Sequence, residues 1–279
     1  MAVPILKTWK RYFADPDEGL GSSYERILIN NKLENIINLF GIQSILEVPA
    51  FGFTGISGIN SMDIARKGYR VTVCDNDEER VKLIRDAWGN TGIDADILYV
   101  NDFLNLPFSR TSFDMVWNYS ALWFVKDLDK FAQKISAFIN KVCLFFVPNR
   151  SGLGYLSQKY FSGASSMSLL QEKNIIPQNI IRTMEKHNWT LLEKHYIDNP
   201  PWPDIGMSKT ELLTKIGLSG LLKEKGRDRI TYSILDYYTG KLPDFREKML
   251  KFAWFERIAP DLIKKFWSHH RYLLFVKKT

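Results

Sequence analysis

The sequence predicts an α/β fold, a mostly parallel sheet with helices on its faces, and three observations carry that expectation. Strand-like and helix-like segments alternate through the first half of the chain, the order that parallel strands joined by crossover helices require. The strand "SILEV" at 44–48 runs directly into the small-residue loop "PAFGFTGISG", and open parallel sheets bind ligands at such strand-to-helix loops. The stretch "KVCLFFV" at 141–147 is continuously apolar, as a strand covered on both faces must be.

After "SILEV", the segment "INSMDIARKG" reads as a helix stopped by Gly68, followed by the strand "YRVTVCD". "DEERVKLIRDAWGNTG" is a second helix ending in glycine, and "ADILYV" a third strand. The loop "NDFLNLPFSRTS" leads to a fourth strand, "FDMVWNY". "VKDLDKFAQKISAFIN" then has apolar residues at helical spacing before "KVCLFFV". Further on, a helix is expected from Pro177, with proline near its start, and "WTLLEKHYI" follows as a strand. "DNPPWPDIG" packs three prolines into four residues and continues neither helix nor sheet. Helical pieces are expected at Ser208–Gly217 and Phe245–Trp267, and "RYLLFVKK" is a last strand. The whole of 1–279 reads as a single domain, with a helical segment at 1–40, a core at 41–150 and further elements at 151–279.

With 279 residues and 45% hydrophobic content, the chain can bury a substantial core. Its start lacks the apolar run of a secretory signal, and no stretch reaches the roughly 18 apolar residues that span a bilayer, so a cytoplasmic location is expected. Cys74 and Cys143 sit in apolar strands without metal or redox spacing and read as small buried hydrophobes. The four histidines show no ligand spacing on one helix face, and no metal is expected. The net charge of +7 is uneven: residues 205–279 carry 16 Lys/Arg against 8 Asp/Glu.

The loop after the first strand carries Gly52, Gly55 and Gly58 in the pattern G-x-x-G-x-x-G. A dinucleotide site needs G-x-G-x-x-G and a P-loop needs GK[ST], so both lose weight, and with the first goes a nicotinamide-dependent oxidoreductase. Glu47 at the end of the first strand disfavours a phosphate and suits a cationic ligand. The loop therefore favours a nucleoside without phosphates. Asp75 ends the second strand, where a carboxylate can accept from both ribose hydroxyls. Asp102 and Phe103 follow the third, where an acid can accept from an adenine amine and an aromatic can lie against the ring.

With these motifs in order, the chain resembles the class I S-adenosylmethionine-dependent methyltransferases, of the type 11 and 12 kind, over Tyr24 to Val147. "SILEVPAFGFTG" stands as the glycine loop, "VTVCDND" as the ribose motif, "NDFLNLPF" as the adenine motif and "FDMVWNYSALWFV" as the fourth-strand motif. The resemblance implies a Rossmann-like, seven-stranded, mostly parallel sheet with its last strand antiparallel, helical insertions near the C-terminus, and S-adenosylmethionine as cofactor. It implies that Glu47, Pro49, Phe51, Gly52, Phe53, Thr54 and Gly55 surround the methionine part, that Asp75 and Asn76 hold the ribose and Asp102 and Phe103 the adenine, and that Asn118 faces the methyl donor. The chain departs from the family's acidic-x-Gly-x-Gly-x-Gly at Pro49, Ala50 and Phe51, which make the start of the loop bulkier.

Methyl transfer from a sulfonium is an in-line displacement that needs alignment more than a base. His195 in "EKHYIDN" is the histidine considered as a general base. Tyr119, Trp123, Asn149, Tyr155, Tyr160, Trp202 and Asp204 are the acceptor-pocket candidates, because their loops fall over the ligand edge in this fold. The expected acceptor is a small molecule or a lipid-linked one. An RNA methyltransferase and a non-catalytic binding protein of the same fold are the alternatives. The C-terminal segment interleaves aromatics with lysine and arginine. It reads either as a membrane-surface or RNA contact, which would make the protein peripheral to a membrane in the first case, or as a helix with Phe252, Phe255, Leu262 and Phe266 on its core face.

Overall fold

A computed structural model of the chain describes residues 6, 8–108, 113–161, 170–202 and 233–278. Seven strands form one sheet: β1 (Ser44–Glu47), β2 (Arg70–Asp75), β3 (Asp96–Tyr99), β4 (Phe113–Tyr119), β5 (Ile139–Pro148), β6 (Trp189–Ile197) and β7 (His270–Lys277). Their order is β3-β2-β1-β4-β5-β7-β6. β7 runs antiparallel to both β5 and β6, while the other pairings are parallel. From β1 the strands are added first on one side (β2, β3) and then on the other (β4, β5), and this switch leaves a crevice at the carboxyl ends of β1 and β4.

The helices are α1 (Arg11–Ala14), α2 (Gly19–Phe40), α3 (Met62–Arg66), α4 (Glu78–Thr91), α5 (Leu128–Phe138), α6 (Leu153–Phe161), α7 (Pro177–Lys186), α8 (Ile234–Tyr238), α9 (Phe245–Leu250), α10 (Trp254–Ile258) and α11 (Asp261–Trp267). Local chemistry sets their ends. Asp77 and Asp127 cap α4 and α5 by accepting from the backbone N–H of Arg80 and Lys130. Gly41 and Gly92 close α2 and α4 in the left-handed conformation. The strands sort their side chains by alternation. Trp117, Tyr119, Leu144, Phe146, Tyr272 and Leu274 join one core with α2, α3 and α4. Val116, Cys143, Phe145, Leu273 and Phe275 join the other with α5 and α7.

The strand expectations agree with the structure, and the C-terminal helix does not. Phe245–Trp267 is broken into α9, a 3-10 turn at Lys251–Ala253, α10 and α11, and the break between α10 and α11 falls where Pro260 forces Ala259 into an extended conformation. As a result Leu262 and Phe266 are 71% and 48% exposed and do not form a core face. The loop expected after β5 is partly the helix α6. The helix expected at Ser208–Gly217 lies outside the described residues.

Candidate active site

The loop joining β1 to α3 is held from below by a buried polar network. The Glu47 carboxylate accepts from Asn60 Nδ2 (2.9 Å), from Ser61 N (3.1 Å) and from Ser61 Oγ (2.7 Å). Asn60 Oδ1 accepts from Arg26 Nη1 at 2.6 Å. Arg26, fully buried in α2, also donates to both Glu18 oxygens and to the Ile56 carbonyl, and Glu18 in turn accepts from Ile56 N at 2.8 Å. The Arg26 guanidinium lies 4.0 Å from the centre of the Phe53 ring. Burial pushes the Glu47 carboxyl up to about 7, against the pull of Ser61, Asn60 and Arg26. Glu47 is thus bound to the loop's own fastening, with its hydrogen bonds directed into the protein.

Above this network the backbone comes close to β4. The Val48–Pro49 peptide is cis, and a Cβ at Gly52 would collide with the Tyr119 and Ser120 carbonyl oxygens, so only glycine fits there. Phe51, Phe53 and Thr54 are buried. At the end of β4, Asn118 Nδ2 donates to the Val48 carbonyl at 3.1 Å, tying the strand to the loop. Asn118 Oδ1, Thr54 Oγ1, Ser57 Oγ and Ser120 Oγ are buried without a hydrogen-bond partner. Unpartnered buried polar atoms cost about 1–3 kcal/mol each, and their gathering at this crevice suits a polar ligand.

Asp75 ends β2, buried, with both carboxylate oxygens engaged by Arg80: Nε at 2.9 Å and Nη2 at 2.6 Å. Burial pushes this carboxyl up, against the guanidinium's pull. Arg80 lies 3.9 Å from the centre of the Phe51 ring and 5.3 Å from that of Trp9, and Asn76 Oδ1 stands 3.5 Å from Nη2. The Trp9 segment is tied down by the exposed Lys10–Glu79 pair at 2.6 Å. After β3, Asp102 accepts from Leu104 N (3.0 Å) and Lys126 Nζ (3.0 Å). The backbone hydrogen bond holds its carboxyl below the usual range. Phe103 beside it is buried. Both oxygens of Asp75, the residue expected to hold the ribose, are thus engaged by Arg80.

The other end of the same edge carries a second cluster. Tyr119 Oη donates to Glu25, which projects from α2, and lies 2.6 Å from His270 Nδ1. His270 opens β7, and its Nδ1 is 2.9 Å from Glu25 and 3.8 Å from Asp198, just past β6. Asp198 also meets His269 Nδ1 at 2.6 Å, and burial beside the Glu25 charge pushes its carboxyl well above the usual range. Of the acceptor candidates, Tyr119 belongs to this cluster. Asn149 donates to the Lys265 and Ser268 carbonyls, both at 2.9 Å, fastening α11 over the edge. Trp202 packs on Tyr24 and Phe252 at 5.6 and 5.0 Å. Trp123 is buried with Nε1 donating to the Ser120 carbonyl at 2.6 Å, and Tyr155 is buried in α6, the helix that also holds Tyr160. Asp204 lies outside the described residues. His195 stands exposed on β6, its ring 5.9 Å from Tyr272 and apart from the cluster. Sequence reasoning missed Arg80, Glu25, Asp198 and His270. Arg80 had a signal, an arginine in the first turn after the ribose motif. The others come from elements far apart in the chain.

None of the curated proteins matches this sequence. Residues 53–144 match the methyltransferase domain family. Among solved structures, a protein described as a sarcosine dimethylglycine methyltransferase from Galdieria sulphuraria is similar, with TM-score 0.54 and 13% identity over 89% of this chain and 84% of that one. Phospholethanolamine N-methyltransferase 2 from Haemonchus contortus, solved with phosphomonomethylethanolamine and S-adenosylhomocysteine, gives 0.51 and 19% over 89% and 52%. The [4+2]-cyclase SpnF gives 0.50 and 14% over 89% and 81%. At these identities the likeness is one of fold. The match over residues 53–144 and the sheet order give the chain the fold of the class I methyltransferases, with a segment that matches their domain. Since the same fold also serves a cyclase, its acceptor has to be argued from the site.

Proposed function

We propose that the protein is an S-adenosylmethionine-dependent methyltransferase that acts on a small amphiphilic or lipid-linked acceptor, which it meets at an anionic membrane surface on the cytoplasmic side. One observation carries this reading. α10 and α11, the second of which Asn149 fastens beside this end of the edge, leave Trp254, Ile258, Leu262, Ile263 and Phe266 between 45% and 71% exposed, with Arg257, Lys264 and Lys265 interspersed. Apolar side chains beside lysines suit the headgroup boundary of a bilayer, where each buried apolar side chain contributes about 1.5–3 kcal/mol. An RNA surface calls for cations and stacking aromatics and gives exposed leucine and isoleucine nothing to bury against. Among the described residues no helix is long and apolar enough to cross a membrane, so the contact would be superficial.

In the reaction the cofactor supplies the methyl group. The chain's own work is to hold donor and acceptor in line at the Gly52–Tyr119 contact and to exclude water, which can account for about 7–11 kcal/mol of the barrier. The test combines vesicle cosedimentation with label transfer from S-adenosylmethionine into a lipid extract. The protein is expected to bind vesicles containing phosphatidylglycerol but not pure phosphatidylcholine, to lose that binding in the Leu262→Asp, Phe266→Asp double variant with its melting temperature unchanged, and to label chloroform-soluble material. Label confined to water-soluble products, with no vesicle binding, would refute the lipid surface.

A further inference from the structure

Four polar side chains from four elements meet below the acceptor end: Glu25 of α2, Tyr119 at the end of β4, Asp198 after β6 and His270 at the start of β7. Each is 3% exposed or less. We propose that this cluster is a binding site for a first-row divalent cation of the zinc or manganese kind, with Glu25, Asp198 and His270 as ligands and the Tyr119 phenol beside them. The proposal goes beyond the methyl-transfer reading and does not depend on it.

The spacing supports it first. One ligand atom from each of Glu25, Asp198 and His270 lies within 4.8 Å of the others. A tetrahedral ion with bonds of about 2.0–2.2 Å sets its ligand atoms roughly 3.3–3.6 Å apart. His270 Nδ1 stands 2.9 Å from the Glu25 oxygen and 3.8 Å from the Asp198 oxygen, on either side of that span, so small side-chain rotations suffice.

Charge supports it next. Two buried carboxylates share one site, and imidazoles stand beside them: His270 beside both and His269 beside Asp198. A buried carboxylate calls for a positive partner: Glu18 and Asp75 have a guanidinium, whereas here imidazoles stand in that place, groups that also ligate metal ions. The donor types then narrow the ion. One imidazole with two carboxylates and a phenol is a mixed nitrogen and oxygen set, better suited to zinc or manganese than to calcium or magnesium, which favour oxygen alone. Outer partners are present too: His269 Nδ1 meets Asp198 Oδ2 at 2.6 Å, the kind of contact that orients a ligating carboxylate. His270 Nε2, Asn199 Nδ2 and Ser120 Oγ are buried without a hydrogen-bond partner, so polar groups remain to serve a further oxygen ligand. Because Tyr119 follows Asn118 and its carbonyl abuts Gly52, that ligand could be an oxygen of the acceptor.

The test is calorimetric titration of the chelator-treated full chain with Zn2+, Mn2+ and Mg2+, alongside Asp198→Asn, His270→Gln and the control His187→Gln away from the cluster, which removes the part-buried His187–Asp129 contact. One zinc ion per chain is expected, weakened by more than about a hundredfold in both cluster variants, beyond the effect of losing an outer partner, and unchanged in the control. Zinc binding that survives in folded cluster variants, or that is lost in the control, would overturn the proposal. Should the variants fail to fold, the wild type with Co2+ decides. An intense visible band of a four- or five-coordinate site, displaced by zinc, supports the site, and the pale spectrum of the six-coordinate aqueous ion refutes it.

Discussion

The two ends of the ligand edge hold buried carboxylates by different means. At the donor end Glu18 faces Arg26 and Asp75 faces Arg80, guanidiniums whose charge is permanent and whose fork matches a carboxylate. At the acceptor end Glu25 and Asp198 face two imidazoles and a phenol, groups that can change charge or accept a metal ion. The first arrangement gives each carboxylate a permanently charged partner, while the second gives it partners that can take up or release a proton. A methyltransferase can use both, since its donor is constant and its acceptor must be told apart from other molecules.

The largest expected effect comes from removing a guanidinium. Arg26→Ala leaves Glu18 and the Ile56 and Asn60 oxygens buried without their donor, which should cost about 3–5 kcal/mol in a urea melt. A loss below 1 kcal/mol would mean that the network does not hold the loop. Next is the pH dependence of stability. Glu47 is held at about 7 in the folded chain against an ordinary 4.5, so the folded state binds the extra proton between those values. Stability from this group is therefore full below about pH 4.5 and declines by about 3 kcal/mol as pH rises to about 7. Urea midpoints across that range should show the decline in wild type and a flatter profile in Glu47→Gln. An equal slope in both would assign the dependence to other groups.

The placement of Glu47, Asp75 and Asp102 along one sheet edge was legible in the sequence because its signals are local. Strand ends, glycines and acids follow one another within a few residues of β1, β2 and β3, and continuous apolar runs mark the buried strands. Asp75 stands at the end of β2, as read, but its pairing with Arg80 was not foreseen, although a helix's first turn naturally points an arginine back at the preceding strand end. The acceptor end had no such signal. Glu25, Tyr119, Asp198 and His270 meet only because β7 inserts antiparallel between β5 and β6 and brings the start of one strand beside the ends of others. In the C-terminal segment, helical spacing suggested a continuous apolar core face, whereas Pro260 broke the helix and turned Leu262 and Phe266 outward.

The most direct test of the account is calorimetric titration of S-adenosylhomocysteine into the wild type and into Arg80→Gln. If the ribose must take the Asp75 oxygens from Arg80, both proteins bind, and the variant binds about tenfold more tightly, because a competing pair of charge-assisted hydrogen bonds is gone. Absence of binding in both, or weaker binding in Arg80→Gln, would contradict the assignment of this edge as the cofactor site.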